Sequence, residues 1–540
     1  MDRREFGKRT AAGAAIALKS RESGIGNRES PPVPAFELEG KTLAELQEEM
    51  TAGRITSRRL VDLYTRRIAD LDQRGPHLNH VLQVNPDARS IADDLDRERH
   101  AGRTRGPLHG IPVLIKDNIA TLDQMETTAG SLALSGAKPP KDSTIARKLR
   151  EAGAVILGKT NLSEWANFRS TRSTSGWSGR GGQTHNPYAY DRQPSGSSSG
   201  SGVAAASSSC AIAIGTETSG SIISPSNVNG IVGIKPTVGL WSRTGIIPIS
   251  HSQDTPGPMA RCVADAAALL TVLAGTDPAD VATGDADTKK SDYVRALDAD
   301  GLRGARIGVL RVSQNPDPKV TPLYDAAIAV LREKGAVIVD PVSFAQPQGG
   351  GGGGGARGPS LLEWEFKTDL ERYLAEWAPT SPIKTLDDLV AFNNREAARE
   401  LQYFGQETLI SAARVGPLTS PEYIELRDRS QKAARADGID ATMDANHLDA
   451  VLGVSGGPAR PIDLVNGDSG GGGLPGATGI AATAGYPHIT VPMGYVNGLP
   501  VGLSFVGRAW SEATLIRLAF AFEQATRVRR APSFAAGASL

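Results

Sequence analysis

A lysine at the end of an apolar run is the first residue whose type and place could support catalysis. The run is "GIPVLIKD", and Lys116 stands where a buried strand would end. Burial disfavours the charged form of an amine and lowers its pKa, so such a lysine can act as a general base near neutral pH. The alternative is a strand-end lysine that reaches solvent or pairs with Asp117. Lys116 alone does not decide between these two interpretations.

A serine- and glycine-rich stretch, "PSGSSSGSG" from Pro194 to Gly202, has three interpretations. Its composition is typical of a flexible linker. The segment Gly196–Gly200 also matches G-x-S-x-G, the nucleophile elbow of α/β-hydrolases, which would make Ser198 the nucleophile. That elbow must follow a strand, whereas the preceding "HNPYAYDRQPS" is typical of a turn, so the pattern disfavours an elbow. The third interpretation is a backbone held closely around a catalytic centre.

A second serine follows a predicted strand. In "IAIGTETSGSI", from Ile212 to Ile222, the apolar residues predict a strand and the small polar residues predict a loop. Successive backbone N–H groups in such a loop can converge on one point, as they do in an oxyanion hole. A strand followed by a Gly-Ser loop is common, so this pattern is weak by itself.

Histidine supplies no obvious base or metal site. The eight histidines form no H-x-x-x-H or H-E-x-x-H pattern, and Cys210 and Cys262 have no metal-ligand spacing. The scattered histidines are His77, His80, His100, His109, His185, His251, His447 and His488. A serine hydrolase without a convincing histidine needs another base, and lysine is the natural candidate. We therefore expect no metal and no cofactor.

The order and spacing of these segments resemble those of the amidase signature family. Lys116 precedes Ser197 by 81 positions, and Ser197 precedes Ser221 by 24. The family patterns P-G-G-S-S-G-G, G-T-D-x-G-G-S-I and G-x-V-G-x-K-P-T correspond to "PSGSSSG", "GTETSGSI" and "GIVGIKPT", and "GIPVLIKD" and "GKTNLSEWA" also fit. The resemblance extends over about residues 36–530. Within it, "SEWANF", "GWSGRGGQTHNPY", "IIPISHSQDTPGPMAR" and "AWSEATLI" most resemble bacterial peptide amidases.

The resemblance implies a role for each of these residues. Ser221 would be the nucleophile, Lys116 the base, and Ser197, preceded by a cis peptide bond, the serine that passes the proton between them. The oxyanion would be held by backbone N–H groups of one loop, which are those of Thr218, Ser219, Gly220 and Ser221. On this interpretation the small residues around Ser197 allow close backbone approach, and the stretch belongs to an active site rather than a linker.

Three serines depart from the family pattern. Ser195, Ser199 and Ser219 stand where the common pattern has glycine. A serine in a left-handed backbone conformation would cost roughly 1–2 kcal/mol. Because Ser219 lies in the predicted oxyanion loop, this departure bears on the efficiency of the reaction more than on its type.

Helix and strand patterns alternate along the chain from Pro34. Thr42 and Glu45 form a capping box, and a second helix has Leu60, Tyr64, Ile68 and Leu71 on one face. A later helix, "DSTIARKLREAG", which we expect Asp142 to cap, precedes the strand "AVILG". Such alternation predicts an α/β fold. The family resemblance implies the amidase-signature fold, a large mixed β-sheet flanked by helices on both faces.

The chain is expected to consist of a short leader and one domain. Residues 1–34 include Arg3-Arg4 before a small apolar stretch, which resembles a twin-arginine signal for export to the periplasm. The alternative is a basic tail on a cytoplasmic protein. Residues 35–540 are predicted to form a single amidase signature domain, and the glycine runs at 349–355 and 470–473 are predicted surface loops.

The composition limits the partners. Lys plus Arg and Asp plus Glu each number 59, so the chain has no formal net charge, which argues against nucleic-acid and membrane-surface partners. No apolar run reaches the length needed to span a membrane. We expect a monomer whose partner is a small-molecule or peptide amide substrate.

These observations predict a serine amidohydrolase that converts primary carboxamides to free acid and ammonia through an acyl-enzyme. The resemblance to peptide amidases implies that the substrates are the C-terminal amides of peptides. Three alternatives stay open: an amidase of small or aryl amides, an amidotransferase-type subunit of the same family, and a non-catalytic binding protein with the same fold.

Overall fold

The computed structural model describes residues 33–311, 318–344, 359–470 and 476–538. The predicted export signal falls on residues 1–34, of which residues 1–32 lie outside the described residues. The same holds for the glycine run 349–355 and for residues 471–473 of the second run. The single-domain prediction for residues 35–540 stays a prediction.

Eleven strands form one mixed sheet in the order β1-β3-β2-β6-β8-β7-β12-β13-β11-β9-β10. The ladders β3–β2–β6 and β11–β9–β10 are parallel, and all ladders between β6 and β11 are antiparallel. The strands of this sheet are β1 (Val81–Val84), β2 (Pro112–Lys116), β3 (Val155–Thr160), β6 (Ile212–Glu217), β7 (Val232–Lys235), β8 (Thr255–Ala260), β9 (Arg306–Leu310), β10 (Val337–Val342), β11 (Ala450–Val454), β12 (His488–Val496) and β13 (Leu499–Val506). Strands β4 (Trp177–Ser178) and β5 (Gly182–Gln183) form a separate pair.

Helices connect and cover these strands. The α-helices are α1 (Leu43–Thr51), α2 (Ser57–Asp72), α3 (Ala88–His100), α4 (Thr144–Glu151), α5 (Ser199–Ala206), α6 (Ile223–Val228), α7 (Val263–Leu273), α8 (Ala286–Lys289), α9 (Thr321–Glu333), α10 (Leu361–Trp377), α11 (Leu386–Arg395), α12 (Ala397–Glu400), α13 (Glu407–Ala413), α14 (Pro421–Ala434), α15 (Ala441–Asn446), α16 (Gly476–Ala484) and α17 (Glu512–Thr526). Short 3₁₀ segments and a π-helical turn at Arg435–Asp440 complete the described helical structure.

Both faces of the sheet are covered by helices. Leu452 and Phe505 pair across β11 and β13 and belong to the main core cluster, which also includes residues of α17. The next pair along the same ladder, Val451 and Val506, belongs to a separate cluster with residues of α16. Because neighbouring residues of a strand point to opposite faces, α16 and α17 cover opposite faces. The predicted fold class is confirmed.

A helical layer covers the loops that follow β2 and β3. Side chains of α10, α11 and α13, including Phe366 and Leu374, pack in one buried cluster with Leu134, Leu162 and Trp165. These last three residues follow the ends of β2 and β3 in the chain. The layer therefore lies over the edge of the sheet at which Lys116 ends its strand.

Most of the local helix predictions are confirmed, and one cap is corrected. Thr42 and Glu45 form the predicted capping box at the start of α1. Helix α4 is capped by Ser143, whose Oγ accepts from Ala146 N, and not by Asp142. Asp142 instead accepts from Leu122 N and pairs with the guanidinium of Arg150. Within the described part of the chain, no helix has both the length and the apolar character to cross a bilayer.

Candidate active site

The sheet brings Lys116 and the serine loop to one edge. Strands β2 and β6 are parallel neighbours, with Val113 opposite Ile212 and Ile115 opposite Ile214. Parallel neighbours end at the same edge of a sheet, where catalytic groups of α/β proteins commonly gather. Lys116 and Thr216 therefore meet although they are 100 positions apart.

The amine of Lys116 is fully buried and is surrounded by hydroxyl groups. Its Nζ lies 2.8 Å from Ser197 Oγ, 3.1 Å from Ser198 Oγ and 2.9 Å from Thr216 Oγ1. Burial lowers the pKa of Lys116 to about 7, because the charged form loses its hydration. A large fraction of the amine is thus neutral at neutral pH, and a neutral amine at 2.8 Å can accept a hydroxyl proton.

Two other buried lysines make no contact of this kind. Burial lowers the pKa of Lys159 and of Lys235 to about 8 in each case. Lys159 Nζ donates to Thr127 Oγ1 at 2.8 Å, and Lys235 Nζ donates to Pro236 O at 3.0 Å. Neither amine contacts a serine hydroxyl among the described residues. Proximity to serine, and not burial alone, distinguishes Lys116.

The stretch from Pro194 to Gly202 is a tightly packed turn that leads into the first residues of α5, and it is not a linker. The peptide bond between Gly196 and Ser197 is cis, as the family resemblance implied. A Cβ atom at Gly196 would lie 2.1 Å from Ser163 Oγ, so no larger residue fits there without a shift. The small residues therefore allow the close backbone approach that the sequence suggested.

No strand leads into this turn. The residues between β5 and α5 form turns and isolated bridges, and α5 begins at Ser199. A nucleophile elbow needs a strand directly before its serine. Gly196–Gly200 does not meet this requirement, so the elbow interpretation is wrong, as the turn-like sequence before it indicated.

The loop after β6 presents a row of unpaired backbone amides. Within the described part of the chain, no acceptor pairs with the N–H groups of Thr218, Ser219, Gly220 and Ser221. Gly220 has φ +82°, a left-handed conformation that lets successive N–H groups point into one concavity. Such a loop can hold an anionic oxygen.

The far end of this loop is held by Glu217, which stands where the family pattern has aspartate. Glu217 is buried, and its Oε2 accepts from Ile222 N at 2.8 Å and from Ile223 N at 3.0 Å. These bonds fix Ile222, which follows Ser221, and Ile223, the first residue of α6. The carboxylate therefore anchors the loop without using the four unpaired amides.

The structure brings the predicted residues together to different degrees. Lys116 and Ser197 are in direct hydrogen-bond contact. Ser221, at 8 % exposure, is linked to the neighbouring turn through its carbonyl oxygen, which accepts from Ser198 N at 3.1 Å. Its Oγ has no hydrogen-bond partner among the described residues. The Ser221 hydroxyl is thus not held by another side chain among the described residues.

The sequence analysis did not place Ser198, Thr216 or Asn118 at or next to the Lys116 amine. Ser198 Oγ donates to Thr216 O at 2.9 Å and accepts from Thr216 N at 3.1 Å. Asn118 Nδ2 donates to Thr216 Oγ1 at 3.0 Å. Each of the three lies one or two positions from a motif residue: Ser198 in "GSSSG", Thr216 in "GTE" and Asn118 in "KDN". That adjacency was the available signal.

It also missed the segment that holds Thr218, which we call the clamp loop, Ile249–Asp254. Thr218 Oγ1 donates to Asp254 Oδ1 at 2.5 Å, and Gln253 Nε2 donates to Thr218 O at 3.2 Å. The other oxygen of Asp254 accepts from the backbone amides of Ile249 and Ser250. Burial raises the pKa of Asp254 to about 6, although these hydrogen bonds act to lower it. The clamp loop therefore fixes the loop of unpaired amides from outside.

The chain matches known amidases over nearly all of its length. Residues 59–350 match the family model described as Amidase. A probable amidase of Arabidopsis thaliana is 40% identical over 507 residues, which are 93% of each chain. A glutamyl-tRNA(Gln) amidotransferase subunit from Chloroflexus aurantiacus is 34% identical over 525 residues, which are 91% of this chain and 97% of that relative.

A solved structure is more similar still. The X-ray structure of the native peptide amidase from Stenotrophomonas maltophilia is 50% identical and superposes with a TM-score of 0.86. The match covers 93% of this chain and 100% of the peptide amidase chain. The motifs that suggested the family lie inside the matched region. The chain is therefore an amide-hydrolysing enzyme and belongs to the amidase signature family.

Proposed function

We propose that this amidase removes the C-terminal amide of peptides, with Ser221 as nucleophile, Ser197 as proton relay and Lys116 as base. The observation that carries the proposal is the contact of 2.8 Å between Lys116 Nζ and Ser197 Oγ. The pKa of Lys116, lowered by burial to about 7, suits a base that works near neutral pH.

Counting hydrogens supports the direction of the relay. A neutral lysine amine has two N–H donors and one lone pair. Its two N–H groups can donate to Ser198 Oγ and to Thr216 Oγ1. Ser198 Oγ is free to accept because its own hydrogen is donated to Thr216 O. The lone pair is then left for the hydroxyl proton of Ser197. In the proposed relay Ser197 in turn takes the proton of Ser221.

The reaction follows from these positions. Ser221 Oγ attacks the carboxamide carbon while its proton moves through Ser197 to Lys116. Lys116 then returns a proton through Ser197 to the leaving nitrogen, ammonia departs, and water releases the acid from the acyl-enzyme. The unpaired amides of residues 218–221 would stabilise the oxyanion, and each such donor is typically worth ~3–4 kcal/mol of barrier.

The peptide substrate is supported by similarity. The peptide amidase of Stenotrophomonas maltophilia is 50% identical to this chain along almost its whole length. "SEWANF", one of the segments that suggested this subgroup, lies within residues 59–350, which match the family model. We therefore expect a substrate with a peptide backbone before a primary carboxamide, and internal peptide bonds are expected to stay intact.

The test is ammonia release from an N-acetylated dipeptide amide. Wild type should release ammonia, and Ser221→Ala and Lys116→Ala should not. Ser224→Ala is the matched control, because Ser224 is three residues further on and its hydroxyl has no partner among the described residues. Mass spectrometry checks the internal bonds. Turnover of a small amide but of no peptide amide would remove the peptide assignment and leave the mechanism.

A second candidate is an ammonia-supplying subunit of an amidotransferase. The subunit from Chloroflexus aurantiacus is 34% identical to this chain over 97% of its own length, and this similarity supports the second candidate. A subunit of that kind works with partner chains, whereas a peptide amidase acts alone. Full activity of the purified chain, with a monomer's mass in sedimentation, would support the peptide amidase proposal. Activity that needs an added partner would support the amidotransferase role.

Export through the twin-arginine route is also a proposal. Arg3 and Arg4 precede a short apolar stretch, which supports it. A variant with both residues changed to lysine should accumulate inside the cells, while the wild-type chain should reach the periplasm. Equal fractionation of the two would favour the cytoplasmic alternative.

A further inference from the structure

We infer that a protonated His251 binds the clamp loop to helix α10 and thereby positions the loop that holds the oxyanion. Its deprotonation at higher pH is expected to loosen this positioning and to lower turnover. The inference uses the proposed oxyanion role of residues 218–221, but it does not depend on whether the substrate is a peptide.

The clamp loop is attached to α10 by two buried carboxylates. Asp369 Oδ2 accepts from His251 Nδ1 at 2.8 Å and from His251 N at 2.9 Å. Glu365 accepts from the hydroxyls of Ser250 and Ser252 and from Ser252 N. Both carboxylates are almost fully buried. Two negative charges side by side in the interior need a cation to offset them.

The hydrogen bonds around His251 require both of its ring protons. Tyr423 Oη lies 3.2 Å from His251 Nε2 and donates to Glu365 Oε1 at 2.8 Å. A phenol has one proton, so when it goes to Glu365 the nitrogen Nε2 must be the donor to Oη. Nδ1 must also donate, because Asp369 is an acceptor. An imidazole that donates from both nitrogens is the cation.

The charged groups around His251 agree with a cation. Asp369 and Glu365 face it from α10, and Tyr423 faces it from α14. Two arginines also lie in this cluster: Arg372 pairs with Asp369 at 2.8 Å, and Arg243, which pairs with Asp280, donates to His251 O. Arg427 lies further out and pairs with Asp428. Burial lowers the pKa of His251, but the hydrogen bond and charge of Asp369 outweigh it and hold the pKa above its ordinary value.

The other end of the clamp loop acts on the site. Asp254 and Gln253 hold Thr218 by its hydroxyl and by its carbonyl oxygen, respectively. Thr218 carries the first of the unpaired amides. Asp254 follows Ser250, whose hydroxyl is bound to Glu365, within the same short loop. A shift of the loop on α10 is therefore passed to the donors of the oxyanion, where small displacements lower the rate of reaction.

The direction of the pH effect follows from the raised pKa. A group whose pKa is raised in the folded protein stabilises its contacts below the unfolded pKa, and the contribution is lost as pH rises through the folded pKa. When His251 becomes neutral, its Nε2 and Glu365 Oε1 compete for the one proton of Tyr423 Oη, and the two carboxylates lose the positive charge of His251. The clamp loop should therefore loosen above the ordinary range of histidine titration.

The experiment compares wild type with Asp369→Asn and His251→Gln in the full-length enzyme. NMR of histidine side chains, assigned through His251→Gln, gives the titration midpoint of His251 directly and needs no substrate. In wild type this midpoint should lie above the ordinary value of about 6.5, and in Asp369→Asn it should fall by about one pH unit or more. Glu376→Gln is the control, since Glu376 is an exposed residue of α10 paired with Lys141.

Activity is the second readout, with any amide that the enzyme turns over. Wild-type kcat should fall on the alkaline side, and this fall should move to lower pH in Asp369→Asn but not in Glu376→Gln. In His251→Gln kcat should drop about tenfold with little change in KM, since the loss is in transition-state stabilisation. A His251 midpoint at or below the ordinary value, or an unchanged alkaline fall in Asp369→Asn, would overturn the inference. If His251→Gln does not fold, the alkaline fall of kcat in Asp369→Asn, compared with wild type and Glu376→Gln, still decides it.

Discussion

The backbone N–H of Ser198 donates to the carbonyl oxygen of Ser221 at 3.1 Å. This bond joins the turn that contains Ser197 to the loop that contains the proposed nucleophile, and it uses main-chain atoms alone. Removing a serine hydroxyl from either segment leaves the bond in place. Ser197→Ala and Ser221→Ala should therefore fold like wild type, and any loss of activity in them reports on chemistry.

Lys116 should set the acidic limb of the activity profile. The base must be neutral to accept a proton, and burial lowers the pKa of Lys116 to about 7. We expect kcat/KM to rise with pH through about 7, because the neutral fraction grows there. Lys116→Met should lower kcat/KM by ~10²–10⁴, the usual contribution of a general base. A residual activity in Lys116→Met with the same acidic limb would show that another group is the base.

Replacing Ser195 with glycine should stabilise the folded protein. It has φ +56°, a left-handed conformation, and stands where the family pattern has glycine. Ser195→Gly should raise the free energy of unfolding by about 1 kcal/mol, since glycine avoids the left-handed penalty. Ser219→Gly is the control, because Ser219 also replaces a family glycine but is not among the left-handed residues. Urea unfolding gives the free energy of unfolding of both variants. Equal effects of the two substitutions would contradict the explanation from the left-handed backbone of Ser195.

Gly200 should not tolerate a side chain. A Cβ atom there would lie 2.3 Å from the carbonyl oxygen of His80, which is backbone and cannot rotate away. Gly200→Ala should lower the free energy of unfolding by about 1–3 kcal/mol through overpacking. Gly479→Ala, inside α16 with open space at its Cβ position, should instead raise it by up to about 1 kcal/mol. Thermal unfolding of both variants tests the contrast.

A buried charge cluster should contribute strongly to the stability of the protein. Arg169 is fully buried between Glu164 and Glu400 and lies over the Phe404 ring at 4.1 Å. Burial raises the pKa of Glu164 well above its usual value, against the charge of Arg169, and the neighbouring Glu400 adds to the rise. Arg169→Met should lower the free energy of unfolding by about 3–5 kcal/mol, because it leaves buried carboxylates unpaired.

An exposed arginine provides the comparison for this cluster. Arg147 pairs with Glu151 on the surface of α4, with about half of each side chain exposed. Arg147→Met should change the free energy of unfolding by less than about 1 kcal/mol. Chemical denaturation compares the two substitutions, and similar losses would show that Arg169 acts through its apolar stem and not through its charge.

The parts of the fold that depend on near neighbours could be predicted from the sequence. The capping box of Thr42 and Glu45 and the buried face of α2 are local patterns, and both are confirmed. The cap of α4 was misplaced by one residue, because Asp142 and Ser143 are both good caps and only the contacts of Asp142 with Leu122 and Arg150 separate them. The catalytic roles of Lys116, Ser197 and Ser221 stay predictions that the geometry supports.

Contacts between distant segments could not be predicted. His251 meets Asp369, which is 118 positions away, and Arg169 meets Glu400, which is 231 positions away. Nothing in either local sequence marks these partners, since a histidine or an arginine in a loop is usually solvated. Similarly, Ser198 and Thr216 surround the Lys116 amine only because β2 and β6 are neighbours in the sheet.

The order of the strands divides the sheet into two blocks, each continuous in the sequence. The first block, β1-β3-β2-β6-β8-β7, ends at Ala260 and carries Lys116, Ser197 and Ser221. The second block contains β9 to β13, and the two meet at the ladder between β7 and β12. Because synthesis proceeds from the amino terminus, the first block can pair its strands before the second leaves the ribosome. Until β12 pairs with it, β7 is an open edge strand, and an open edge is a surface on which unfinished chains can pair with one another.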